Sequence, residues 1–189
     1  INKTSYLLSL SGGVDSMALA SILLKLKKKY NFKLEFAHIN HNFHKYAKMN
    51  EIFCHQFALN VDITIHLEQL FYNKISNFEA YARKKRYGIL NKLSKKYLHN
   101  FIFTAHHLDD QIETLYMTNY ADADWINRIG IRSIIGSLRR PLLDISKQEI
   151  KSYIKRNELC WFEDPSNLNL NIRRNNVRHN LLPIEINNY

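Results

Sequence analysis

The sequence is short of the residues that staple or break a chain: cysteine occurs twice, proline three times and glycine five times in 189 residues. Cys54 and Cys160 are far apart and form no C-x-x-C pair, which excludes a disulfide framework and a zinc ribbon and fits a reducing compartment. No apolar run approaches the roughly 20 residues that span a bilayer, and no basic stretch leads into a long apolar core at the N-terminus. A soluble, cytoplasmic protein with no membrane partner is therefore expected. Acidic residues are scarce too: 17 Asp+Glu face 27 Lys+Arg, a formal charge of +10. That excess points to a polyanionic partner, with a merely basic surface as the plainer alternative. What is present is a 46% hydrophobic, 23% charged composition, enough to bury a real core and to exclude disorder. The length fits one domain. The chain opens at Ile1 without a methionine and stops soon after Pro183, so it is expected to be part of a longer protein.

Periodicity organises the first two thirds. Ser5 to Leu10 is a short apolar run ending in a turn, and Leu19, Ile22, Leu23 and Leu26 follow helical spacing, with Lys25 and Lys27 to Lys29 at the cation-favouring end. Strands are expected over Lys33 to Ile39, Val61 to Leu67 and Phe101 to Ala105, and helices over Tyr46 to Leu59, Phe78 to Tyr97 and Asp109 to Tyr120. Alternating strands and helices predict an α/β fold, a parallel sheet with helices on both faces. In the last third, all three prolines appear, Asn crowds residues 167 to 180, and Ser146 to Glu158 reads as a helix opened by a Ser146–Glu149 capping box. These features divide the chain into an α/β domain at 1–140 and a small, mainly helical appendage at 141–189.

Two of the five glycines stand together at Gly12-Gly13, between the first strand and its helix. Glycine permits a sharp turn and close backbone approach, and the free N–H groups of the next helix attract anions, so a phosphate is one occupant. An ordinary strand-to-helix turn capped by Asp15 or Ser16 is the other reading, and spacing does not choose between them. The loop lacks the Walker and dinucleotide-binding patterns. Asp110 and Glu113, three apart at a helix start, share a face near the carboxyl edge of the sheet. They could hold a cation or deprotonate an amine; from spacing alone, matching the helix dipole is the stronger reading. His106-His107 beside Asp109-Asp110, and His38, His41 and His44, have no zinc-ligand spacing, and neighbours on a strand face opposite ways, so no structural zinc is expected. The forked guanidinium groups of Arg83, Arg86, Arg173, Arg174 and Arg178 suit phosphate oxygens.

Further landmarks narrow the reading. They are Ser11-Gly12-Gly13-Val14-Asp15-Ser16, His38-Ile39-Asn40-His41, Glu79 to Tyr87, Thr104 to Thr114, Arg140-Pro141-Leu142-Leu143, Glu163-Asp164-Pro165-Ser166-Asn167 and Arg174 to His179. In that order, across nearly the whole chain, they resemble the tRNA(Ile)-lysidine synthetase family of the N-type ATP pyrophosphatases, the PP-loop superfamily. The resemblance implies an adenine nucleotide alpha hydrolase-like, Rossmann-like fold and a ligase that uses ATP and Mg2+. Its reaction would join L-lysine to C2 of cytidine 34 in the CAU anticodon of tRNA(Ile), through an adenylated cytidine, with release of pyrophosphate and AMP. It also implies site roles: Ser11, Gly12, Gly13, Val14, Asp15, Ser16, His38 and His106 around ATP and its pyrophosphate, and Asp15 as a Mg2+ ligand. Asp15, Asp110 and Glu113 would be catalytic, the last two selecting the lysine, and Arg83, Arg86, Arg174 and Arg178 would contact tRNA or phosphate. A further C-terminal tRNA-binding domain is expected, and a homodimer is left open. Residues 119 to 130 depart from the family by lacking its usual basic, glycine-rich loop and carrying Asp122 and Asp124 instead. The rivals are another tRNA-modifying enzyme of the superfamily, such as a thiolase, and a catalytically silent RNA-binding homologue.

Overall fold

A computed structural model describes residues 4–42, 46–71, 78–119, 129–163, 176–177 and 180. The chain runs β1 (Ser5–Ser9), α1 (Val14–Tyr30), β2 (Lys33–Asn40), α2 (Ala47–Asn60), β3 (Ile65–Gln69) and α3 (Phe78–Lys96). It continues with β4 (Phe101–Phe103), α4 (Leu108–Asn119), β5 (Ile134–Ile135), β6 (Leu138–Arg139) and α5 (Lys147–Arg156). The strands form one six-stranded sheet in the order β3-β2-β1-β4-β6-β5, parallel except for the antiparallel β5–β6 pair.

Alternating side chains build two apolar layers, one on each face. Leu8, Leu10, Leu34 and Phe36 pack with α1 (Leu19, Leu23), α2 (Cys54, Ala58) and α5 (Ile150, Ile154). Leu7, Ala37, Ile39 and Ile102 pack with Leu90 and Leu93 of α3. Seven of the eight β2 residues are buried, as a strand covered on both faces requires. Each fully buried Leu or Phe contributes about 1.5–3 kcal/mol. The expected parallel α/β architecture is present, and the residues from 141 that are described join the α1 layer through Leu142, Ile150 and Ile154.

Several expectations shift, and β4 ends at Phe103 rather than Ala105. β3 starts at Ile65 because Val61 and Asp62 close the end of α2: Asp62 adopts φ +53° and the Ile63 N–H donates to the Ala58 carbonyl. The β5–β6 hairpin was not anticipated; each arm is two residues long, too short for a periodic pattern, and Gly136 turns it with φ +54°. The Ser146 to Glu158 helix is shorter, with Ser146 as its cap, and the capping box with Glu149 is formed as expected. Among the described residues no helix is long and apolar enough to cross a membrane.

The order of strands decides where a site can form. From β1 the chain moves outward through β2 to β3, then returns to place β4 on the other side of β1. At such a reversal the loops leaving the two central strands diverge and open a crevice at their carboxyl ends. The loops in question are 10–13 after β1 and 104–107 after β4.

Candidate active site

The loop after β1 is held open by its own geometry. Gly12 has φ +82°, and a Cβ there would lie 2.2 Å from Asn50 Oδ1 and 2.9 Å from the buried Cys54 Sγ, so no other residue fits without displacement. Asn50 Nδ2 donates to the Ser11 carbonyl at 3.0 Å, and the Phe162 N–H donates to the Gly12 carbonyl at 2.9 Å. Gly13 is the N-cap of α1 and supplies no side-chain cap; Ser16 Oγ donates instead to the Gly13 carbonyl, and Ser11 Oγ to Ser16 Oγ. Among the described residues the first-turn amides of α1 therefore have no side-chain acceptor, unlike those of α5, which Ser146 caps. An uncapped helix start behind a glycine turn is an anion site.

Around that start lies a cleft of about 1080 Å3, lined by Ser11, Gly13, Val14, Asp15, His38 and Arg86 among the residues expected at the site. Asp15, one residue into α1, accepts two hydrogen bonds from Lys147 Nζ, at 2.6 and 2.7 Å. Lys147 is the first residue of α5, and its backbone N–H donates to Asp109 Oδ2 at 2.8 Å. His107 sits between these groups, 2% exposed: Nε2 is 3.7 Å from Asp15 Oδ2 and 3.6 Å from Asp110 Oδ2, and Nδ1 is 3.6 Å from Asp109 Oδ2. Three carboxylates, an imidazole and an ammonium thus meet where α1, α4 and α5 converge.

Two of the cleft's groups have a defined hydrogen-bonding state. His38 Nδ1 lies 2.9 Å from the Leu10 carbonyl, which can only accept, so the proton is on Nδ1 and Nε2 is left as an acceptor. Burial lowers the His38 pKa, against the opposing influence of the Leu10 bond and of Glu51, and keeps the ring neutral. Arg86 carries a buried Nε with no hydrogen-bond partner among the described residues. Such a donor inside a cleft suits an anionic ligand. Arg86 and Arg83 both lie over the Tyr87 ring, and Arg140 Nη2 donates to the Tyr87 hydroxyl at 3.2 Å. Burial alone would raise the Tyr87 pKa; the cations of Arg86, Arg83 and Arg140 outweigh it and lower the value.

Other expected residues fall elsewhere. His106 pairs with Thr104 Oγ1 at 3.0 Å and does not line the cleft; its neighbour His107 does. Asp110 accepts from the His107 N–H at 3.1 Å, tying back the start of α4, while Glu113 is buried, 1% exposed, one turn on. Gly12 and Ser16 shape the loop from behind, and Arg83 stays outside the cleft lining. Arg173, Arg174, Arg178, His44, Asp122 and Asp124 lie outside the described residues.

Sequence reasoning missed His107, Lys147, Lys151 and Lys155. The three lysines recur every fourth residue on α5 and all line the cleft, opposite the α1 start. That i, i+4, i+8 spacing was a signal in the sequence. Nothing in the sequence could have told His107 from His106, because the turn after Phe103 decides which ring faces inward.

Known proteins resemble this chain in sequence and in fold. The model of the PP-loop domain family matches residues 1–185. A tRNA(Ile)-lysidine synthase of Pseudothermotoga lettingae is 32% identical over 182 residues, spanning 94% of this chain and 41% of that protein. One from Histophilus somni is 36% identical over 188 residues, 96% of this chain and 43% of that protein. The chain thus spans less than half the length of these curated relatives. In three dimensions it resembles the U34-tRNA thiolase NcsA of Methanococcus maripaludis, with TM-score 0.78, 22% identity, and coverage of 97% of this chain and 68% of that one. A glutamine-dependent NAD+ synthetase of Acinetobacter baumannii shares the fold at TM-score 0.55 and 13% identity, over 82% of this chain and 29% of that one.

Proposed function

Because the chain belongs to the PP-loop domain family, we propose that it adenylates cytidine 34 of a tRNA(Ile) with a CAU anticodon and then transfers L-lysine to that base. The observation that carries the reading is the uncapped α1 start, flanked by Asp15 and facing the Lys147, Lys151 and Lys155 ridge across the cleft. The names of the most similar relatives support the choice of substrate.

In the first step the cytidine O2 attacks the α-phosphorus of ATP, and pyrophosphate leaves. The α1 amides and the glycine turn receive the departing pyrophosphate, and the lysine ridge with Arg86 neutralises the charge that builds on it. Mg2+ fits the donor set: Asp15 and Asp109 present carboxylates to the cleft, and Asp15 would exchange its Lys147 contact for the metal, which would supply charge neutralisation on the phosphates. His38, neutral and with Nε2 as acceptor, suits a ribose hydroxyl or an adenine amino group rather than a phosphate oxygen. In the second step the ε-amine of lysine attacks C2 and AMP leaves. Free lysine is mostly protonated at neutral pH, so the base must be close, and Asp110 with the buried Glu113 is the pair assigned to it.

Sulfur transfer has less support. Both cysteines are free; Cys54 is buried, with its thiol pushed up to about 12 by burial and by Glu51, and Cys160 is exposed elsewhere. The test is incorporation of labelled lysine into tRNA(Ile) with CAU, with ATP and Mg2+, beside the same tRNA carrying uridine at position 34. Incorporation confined to the cytidine form is expected. RNA-dependent pyrophosphate release without lysine incorporation would overturn the lysine step, and binding of tRNA without pyrophosphate release would favour a silent RNA-binding homologue.

A further inference from the structure

At the amino-terminal edge of the sheet, opposite the cleft, the side chains of Glu35 on β2, His66 on β3 and His99 just before β4 converge. Glu35 Oε2 lies 2.7 Å from His66 Nε2 and 3.2 Å from His99 Nε2, and one ligand atom from each residue falls within 4.8 Å of the others. The side chains are 8%, 11% and 0% exposed. Spread over 64 positions of sequence, the three form no motif; the β2–β3 register and the turn out of α3 bring them together.

We propose that Glu35, His66 and His99 form a binding site for a divalent transition metal of the zinc type. Two imidazole nitrogens and one carboxylate oxygen are a borderline donor set that zinc accepts, with water in the fourth position. Bonds of about 2.0–2.1 Å in a tetrahedron place donors about 3.3 Å apart, so the 3.2 Å separation already fits and the 2.7 Å one opens by about 0.6 Å. The independent observation is His99 itself. Its ring is fully buried, its Nδ1 is 2.8 Å from the Ser5 hydroxyl, and its Nε2, aimed at the carboxylate, has no hydrogen-bond partner among the described residues. The Ser5 hydroxyl can either donate to Nδ1 or accept from it; in the tautomer with the proton on Nδ1, Nε2 presents a lone pair to a carboxylate oxygen, and a cation between them would resolve that arrangement.

The surroundings set up the ligands. His66 stacks on Tyr97 with ring centroids 4.2 Å apart, which fixes its plane. His99 is held at both backbone groups, its N–H donating to the Ser94 carbonyl and its carbonyl accepting from Ser94 Oγ. Lys33 Nζ binds the other Glu35 oxygen at 2.7 Å, leaving Oε2 as the single ligand atom; this half-exposed ammonium opposes a cation and swings out when one binds. A surface hollow of about 490 Å3 lined by Ser94, His99 and Asn100 lies beside the cluster. A bound metal would tie β3, the edge strand, to β2 and to the α3–β4 turn.

The test uses Co2+ as a spectroscopic probe in the chelator-stripped chain. One equivalent of Co2+ is expected to develop the intense visible absorption of low-coordinate cobalt, and Zn2+ to abolish it. His66→Gln should weaken binding at least about tenfold with an unchanged far-UV circular dichroism spectrum, and Cys160→Ser should leave it intact. Should His66→Gln misfold, Zn2+ titration of the unaltered chain decides: among the nine histidines, the imidazole resonances of His66 and His99 should move together. No cobalt band at saturation, an equal band in folded His66→Gln, or zinc shifts confined to His107 would each overturn the site.

Discussion

Asp15 is held in place by charges that come from distant parts of the chain. Its contact with Lys147 is only partly shielded, with both side chains 26% exposed, so the pair is worth at most about 1 kcal/mol of stability. Its placement matters more. Replacing Lys147 with Ala should lower tRNA-dependent pyrophosphate release at least about tenfold, about 1.4 kcal/mol in barrier, while the urea midpoint moves little. Gly12 behaves oppositely. Gly12→Ala meets both a positive φ and Asn50 Oδ1 at 2.2 Å, so it should cost about 1–3 kcal/mol in urea unfolding and also abolish turnover. His38 adds a dependence on pH. Burial lowers its folded pKa below the ordinary 6.5, so the unfolded chain binds more protons in the window beneath that value. Its contribution is complete above pH 6.5 and is lost as pH falls, by up to about 1.4 kcal/mol per pH unit. Unfolding at about pH 7.5 and about pH 5.5 should show a smaller difference for His38→Asn than for the unaltered chain.

Elements do their work here through their ends. α1 starts without a side-chain cap, which leaves its first amides open to an anion; α5 starts fully capped and places Lys147. Ser146 Oγ accepts from the Glu149 N–H at 3.2 Å, and the Ser146 N–H donates to Glu149 Oε2 at 2.9 Å. Ser146→Ala should therefore cost about 1 kcal/mol in unfolding and raise the KM for ATP more than it lowers kcat, since the chemistry itself is untouched. The capping box was legible because it is encoded within four residues. So was the periodicity of α1, and so were α2, α3 and α4, whose bounds fall within one residue of expectation. The β5–β6 hairpin was not, because its pairing with β4 rather than its own pattern makes it a strand pair.

For the whole molecule, the described residues from 141 to 163 are bound into the same apolar layer as α1 through Leu142, Ile150 and Ile154. Ile150 and Ile154 are 3% and 1% exposed against that helix. Ending the chain before Pro141 should remove on the order of 5 kcal/mol of burial and leave no cooperative urea transition. The net charge of +10 acts at this scale as well.

By itself the sequence determined the alternation that makes an α/β sheet, the glycine turn, the capping box and the motif order that marks the family, because each is written in neighbouring residues. Only the tertiary structure decided that His107 rather than His106 faces the cleft, that Lys147 reaches Asp15, and that Glu35, His66 and His99 meet at the opposite edge. Those outcomes depend on strand order and register, which pack residues tens of positions apart within hydrogen-bonding distance and leave no local trace in the chain.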